Sequence, residues 1–198
     1  MKFKKLTQSR AGRITLAVIP VTLVMGVLMT GVAQGAVPVA FAVSGSQFQI
    51  GASKLDGTGF SQYAGVAVAA DGKTMHPVAI ANIGSASLTD LCQSVVSVTP
   101  LGTLGLLIKA GGGGNPAQAS ALQLGMTDLQ GDATFTNIRI GVDASKVNTS
   151  AKGSVGDFAQ DADHITITGL KQTAWSTQAG TFALNGLHMQ ITNGTKCF

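Results

Sequence analysis

The sequence predicts an all-β fold: a single domain of short strands, β-solenoid-like or an antiparallel β-sandwich, behind an N-terminal hydrophobic signal helix. Three observations carry this. All nine acidic residues are aspartates and glutamate is absent, so a good helix former is missing and a turn-preferring residue takes its place. Apolar residues come in short alternating runs closed by Gly, Pro, Asn or Asp, the pattern of half-buried strands. One four-residue word also recurs, in which two small or polar residues separate two apolar ones.

The first element is a leader. Lys2, Lys4, Lys5, Arg10 and Arg13 precede an apolar run from Ile14 to Val32, and Ala33-Gln34-Gly35-Ala36 follows. A basic end, an apolar core and a small-residue zone are the layout of an export signal. The run is close to the roughly 20 residues that span a bilayer, so residues 1–35 read as a signal peptide or a signal anchor. Pro20, Gly26 and Gly31 weaken the run as a helix and favour cleavage after Gly35. A second small-residue site, Ala40-Phe41-Ala42, would cut into a first strand at Phe41-Ala42-Val43. Residues 36–198 are then the exported domain, extracellular or held at the cell envelope, or anchored by residues 14–32.

Strand signals follow in order. Phe48-x-Ile50-x-Ala52 leads to Leu55 and a turn at Asp56-Gly57-Thr58-Gly59, and Val66-Ala67-Val68 ends at Asp71-Gly72. Val78-Ala79-Ile80 follows Pro77, and Val95 to Val98 meets Pro100. Leu101 to Ile108 is the most apolar stretch of the body, an inner strand or an apolar tip. It runs into Gly111–Gly114, which reads as a mobile surface loop. Leu122–Leu129 and Ala133–Val142 suggest a hairpin across Gln130-Gly131-Asp132. Val142 to Gln160 reads as a long polar loop, and the last strands are marked by Ile165-x-Ile167, Phe182-x-Leu184 and Met189-x-Ile191.

The recurring word is Leu88-Thr89-Asp90-Leu91, Met126-Thr127-Asp128-Leu129, Phe135-Thr136-Asn137-Ile138, Ile167-Thr168-Gly169-Leu170 and Leu184-Asn185-Gly186-Leu187, with Ile80-Ala81-Asn82-Ile83 a looser copy. It implies two inward side chains flanking a bend whose Asp, Asn or Gly tolerates unusual backbone angles. Stacked bends suit a solenoid. The same words suit an antiparallel meander.

Charge excludes one function class. The chain carries +4, but the leader holds five basic residues and no acid, leaving eight basic against nine acidic in the body. Arg139 is the body's only arginine and its lysines are scattered, so the clustered cations of phosphate recognition are absent and no nucleic-acid partner is expected. Two cysteines exist, Cys92 and Cys197. In an exported chain an isolated pair is most simply a structural disulfide, with two buried free thiols as the alternative.

Catalytic chemistry finds little support. The nucleophile elbow Gly-x-Ser-x-Gly is missing; its nearest approach is Gly59-Phe60-Ser61-Gln62-Tyr63, with tyrosine at the second glycine. His76 precedes a proline, His188 alternates within a strand, and His164 follows Asp161-Ala162-Asp163, a cluster that reads as a capped turn. Without glutamate the usual paired carboxylates of glycosidases are lacking, and the spacing of Asp161 and Asp163 lacks the full set of oxygens and the glycine of a calcium loop. Gly111–Gly114 has no phosphate-loop lysine. Trp175 is a core anchor or a ligand face, and Asn148-Thr149-Ser150 and Asn193-Gly194-Thr195 match the glycosylation pattern. No catalytic, cofactor-binding or metal residue is assigned, and no cofactor is expected.

Several phrases together resemble one family: Gly59-Phe60-Ser61-Gln62-Tyr63, Leu91-Cys92-Gln93-Ser94-Val95, Gly131-Asp132-Ala133-Thr134-Phe135, Lys171-Gln172-Thr173-Ala174-Trp175 with Ala179-Gly180-Thr181-Phe182, and the terminal Cys197-Phe198. They are similar to uncharacterised exported actinobacterial proteins, common in streptomycetes, some of which are named cholesterol esterase. The resemblance implies export, a cell-envelope setting and pairing of Cys92 with Cys197, and it brings no catalytic residues. The expected role is a non-catalytic structural or binding module whose partners are the envelope or membrane through the N-terminal segment, an apolar ligand, a glycan or a second copy. The alternatives are a carboxylic ester hydrolase acting on lipid esters and a carrier for an apolar ligand.

Overall fold

A computed structural model of the protein describes residues 45–100 and 102–198. The leader, both cleavage sites and the strand expected at Phe41–Val43 lie outside the described residues. The described chain is all-β, as expected, with one short 3-10 turn at Ala144–Lys146. Its strands are β1 (Phe48–Val68), β2 (Met75–Thr89), β3 (Leu91–Thr99), β4 (Gly102–Ala110), β5 (Ala117–Thr136), β6 (Arg139–Asp143), β7 (Phe158–Gln178), β8 (Thr181–Ala183) and β9 (His188–Thr192).

Every pairing is antiparallel and all nine strands join one sheet. Of the two expected arrangements the antiparallel one is adopted, and a single sheet replaces the two layers of a sandwich. β1 pairs with β2, β2 with β5, β5 with β7, and β7 again with β1, so four long strands close into a barrel. Closure is strongly staggered. Gln62 connects through Ala81 and Leu124 to Thr177 one way round, but directly to Gln160 the other way. Such stagger tilts the strands steeply against the barrel axis.

β3 continues the line of β2, with Cys92 opposite Gly51 in the same frame that puts Thr89 opposite Lys54. β4 pairs with β3 and β9 with β4, forming a three-stranded lobe that runs on beyond the barrel.

Four strands are longer than expected: β1 and β7 have 21 residues each, β5 has 20 and β2 has 15. The recurring words explain the difference. Asp90 (φ 50°), Asn137 (φ 54°), Gly169 (φ 64°) and Gly186 (φ 66°) stand third in their words in left-handed conformation. Each is a kink inside or between strands, not a chain reversal. The kink resets the in–out alternation, so Leu88 and Leu91, and Ile167 and Leu170, bury on the same side. Gly59 (φ 67°) and Ala121 (φ 47°) do the same without the word.

These kinks align across the sheet. Gly59, Gly84 and Ala121 occupy the unpaired positions between the Thr58–Ser85–Ser120 row and the Phe60–Ile83–Leu122 row. Aligned bulges and glycine kinks are how a sheet turns a corner.

Three local expectations are corrected. Gln130-Gly131-Asp132 is a bulge within β5 and not a hairpin turn, because the residues on both sides pair with β7. Asp161-Ala162-Asp163 is inside β7, held by β1 and β6. The glycine tract is anchored at its start: Gly111 N–H donates to Asn185 O (2.7 Å), and Gly111 O accepts from Asp90 N–H (3.0 Å).

The barrel interior holds Leu55, Phe60, Ile83, Leu124, Met126, Ile165, Ile167 and Leu170, with Phe135 at 5.3 Å from Phe60 between ring centroids. Each such side chain contributes about 1.5–3 kcal/mol on burial. The voids beside them measure only about 10 and about 40 Å³. Cys92 and Cys197 are disulfide-bonded across 105 residues, with Cα atoms 5.8 Å apart. The bond ties the C-terminal tail to β3, where Cys197 N–H also donates to Ser94 Oγ (3.1 Å).

Candidate functional site

Polar side chains form a row straight across the outside of the barrel. Register places Arg139 opposite Asp161, Asp161 opposite Ser61, Ser61 opposite Asn82, Asn82 opposite Gln123, and Gln123 opposite Gln178. The row exists because strand neighbours alternate: Phe60, Ala81, Ile83, Leu122 and Leu124 point into the core, so the residues between them point out.

Hydrogen bonds follow the row. Arg139 Nε donates to Asp161 Oδ1 (2.8 Å), Asn82 Nδ2 donates to Ser61 Oγ (3.2 Å), and Gln123 Nε2 donates to Asn82 Oδ1 (2.8 Å). The loop after the 3-10 turn lies over one half. Asn148 N–H donates to Asp161 Oδ2 (2.7 Å), the Thr149 and Ser61 hydroxyls share a 2.5 Å hydrogen bond, and Asn148 Nδ2 donates to Ala162 O (3.1 Å). Asp143 holds the loop's base, accepting from Ser145 N–H and Gly156 N–H. Val147, Ala144, Ala159 and Tyr63 pack beneath it.

Asp161 is fully buried. Burial pushes its carboxyl up, but Arg139 and the Asn148 N–H outweigh that and hold it below the ordinary carboxylate range. The Asp143 carboxyl is lowered by its hydrogen bonds, foremost the Ser145 hydroxyl. Charge on the row is therefore confined to the covered end.

The other half opens into a cleft of about 420 Å³ between the kink line and the loop. Gly59, Gly84 and Gly180 line it, where the lack of side chains makes room, together with half-buried Gln123 and Gln178 and the buried Asn82. Thr149 and Ser150 face them from the loop, and no charged residue lines the cleft. Its volume falls within the few hundred Å³ typical of small-molecule sites.

Other residues singled out in the sequence lie elsewhere. His76 stacks on Trp175 with ring centroids 3.6 Å apart, beside Ala67 and Val78, so Trp175 is half-buried by packing. His164 Nε2 sits 3.3 Å from Asp56, which also pairs with Lys54. His188 is exposed opposite Lys109. Ser61 is fully buried, and its hydroxyl is engaged by Thr149 and Asn82 rather than by a base. Among the described residues no three His, Cys, Asp or Glu side chains are grouped to hold a metal. Of the row, sequence reading singled out Ser61, Arg139 and Asp161 and missed Asn82, Gln123 and Gln178. The available signal was an amide set within an apolar strand run, as Asn82 is between Ala81 and Ile83.

Neither a curated protein nor a solved structure matches the chain. A family model covers residues 44–198, which include the whole barrel, the lobe and the polar row, and the chain accordingly belongs to the family of unknown function DUF6230.

Proposed function

We propose that this chain is an exported, envelope-associated, non-catalytic binding module whose open polar row holds a neutral, hydroxyl-rich polymer such as an envelope glycan. One observation carries the reading: the amides of Asn82, Gln123 and Gln178 line the cleft along one row of the sheet and face the Thr149 and Ser150 hydroxyls of the loop, with no charged side chain in the lining. Amides both donate and accept, so they match sugar hydroxyls without demanding charge. Residues 1–35 act as the export signal, cleaved or retained, and the resemblance to actinobacterial exported proteins agrees with that address.

Ester hydrolysis would need Ser61 as an exposed nucleophile beside a base. Its burial and its hydroxyl and amide partners favour a structural part in the row instead. A carrier for an apolar ligand would need an internal chamber near 300 Å³ or more, against voids of about 10 and about 40 Å³.

Equilibrium binding of the exported protein to purified envelope glycan tests the proposal. Gln123→Ala with Gln178→Ala should weaken retention about tenfold, as expected for losing one or two hydrogen bonds. Equal retention of wild type and double variant would reject the cleft as the binding site.

A further inference from the structure

On the glycan reading above, on which this rests, we infer that the sugars preferred by the cleft are N-acetylated, with an acetamido group seated between Gln123, Gln178 and Ala121. Gly59, Gly84 and Ala121 share the kink line, and two of the three are glycine. Ala121 keeps its Cβ although its φ is 47°, in the left-handed region where a Cβ is disfavoured. The residue is exposed and lines the cleft, so core packing does not hold its methyl there. Strain retained at a lining position points to a use for the side chain. Ala179 beside it and Ala151 on the loop line the cleft as well, which adds apolar contact to a wall otherwise rich in amides and hydroxyls.

The polar groups match the rest of an acetamido group. Gln123 Nε2 is committed to Asn82 Oδ1 (2.8 Å), and Asn82 Nδ2 in turn donates to Ser61 Oγ (3.2 Å). That chain fixes the orientation of the Gln123 amide and leaves its Oε1 as an acceptor for the cleft. Gln178, opposite Gln123 in register, has an amide with no hydrogen-bond partner among the described residues, so its Nε2 is available to donate. An acetamido group offers one N–H, one C=O and one methyl. Gln123 Oε1, Gln178 Nε2 and the Ala121 methyl take one each. A hydroxyl in its place leaves the methyl without a partner. A free amine or a carboxylate would enter a lining that holds no counter-charge.

Calorimetric titration of the full chain tests this with the β-1,4 tetramer of N-acetylglucosamine and with cellotetraose. The two share length and linkage and differ in acetamido against hydroxyl. The acetylated tetramer should bind about tenfold more tightly. Ala121→Gly should cut that affinity about fourfold, as for one lost methyl contact, and leave cellotetraose binding unchanged. Its urea midpoint should not fall, because glycine relaxes the left-handed backbone. Equal affinity for the two tetramers would overturn the acetamido site and leave the glycan reading standing, whereas binding of neither would overturn both. An Ala121→Gly variant that keeps the full preference would also overturn the site as assigned.

Discussion

Arg139 on β6 and Asp161 on β7 face each other across their ladder, and their ion pair fixes the covered end of the polar row. The arginine is half exposed while the carboxylate is fully buried. Replacing Arg139 by Ala would leave a buried carboxylate short of its main partner. The variant should be less stable, read as a lower urea midpoint, with the 147–157 loop becoming more open to protease.

The same pair sets a pH dependence. The Asp161 carboxyl is lowered in the folded state, so the folded chain binds fewer protons there than the unfolded chain, whose carboxyl titrates near 3.9. Its stabilisation is complete above that value and is lost as pH falls through the folded value. Midpoints of unfolding measured from pH 6 downward should drop in the wild type below about pH 4, and drop less in Asp161→Asn. Asp71 offers a direct check of the sign. Its carboxyl is lowered to about 2, first by the Thr74 hydroxyl and then by the Thr74 and Lys73 N–H groups. Carboxyl NMR titration should find it still ionised at pH 3.

Glycine kinks separate strain from space. Gly111 (φ 74°) and Gly113 (φ 64°) both take left-handed conformation, but a Cβ at Gly111 would come within 2.5 Å of Leu88 O, whereas nothing lies within 4 Å at Gly113. Gly113→Ala should cost about 1 kcal/mol from conformation alone. Gly111→Ala should cost clearly more, because backbone must move. Equal midpoints in the two variants would show that the tract is not anchored at Gly111.

Reduction tests the tail. Breaking Cys92–Cys197, or replacing both by Ser, should cost about 4–5 kcal/mol in the chain-entropy model, given the 105-residue separation. The loss should be visible as a shift in urea midpoint.

Legibility followed locality. The bends were readable because the third residue of the word carries its own tolerance for positive φ, and Asp90, Asn137, Gly169 and Gly186 all use it. Met126-Thr127-Asp128-Leu129 instead became a bulge in the β5–β7 register, and Ile80–Ile83 stayed regular strand. Asp56-Gly57-Thr58-Gly59 looked like a turn, yet β2 and β7 pair with Asp56 to Thr58 on both sides, and the chain kinks at Gly59 without reversing. Nothing local distinguishes a kink from a reversal.

The row was harder to see, since Ser61 meets Thr149 across 88 positions and Asn82 meets Gln123 across 41. Their alignment depends on the stagger of a closed sheet. Cys92–Cys197 was legible because the pair stands alone in the chain.

The proposal of a binding row is tested most directly by the side-chain amide NMR signals of Asn82, Gln123 and Gln178 during titration with a neutral envelope oligosaccharide. The account predicts saturable shifts confined to these amides and to the Thr149–Ser150 backbone, with β9 and the His76–Trp175 pair unmoved. Saturable binding that leaves all three amides unchanged would contradict it.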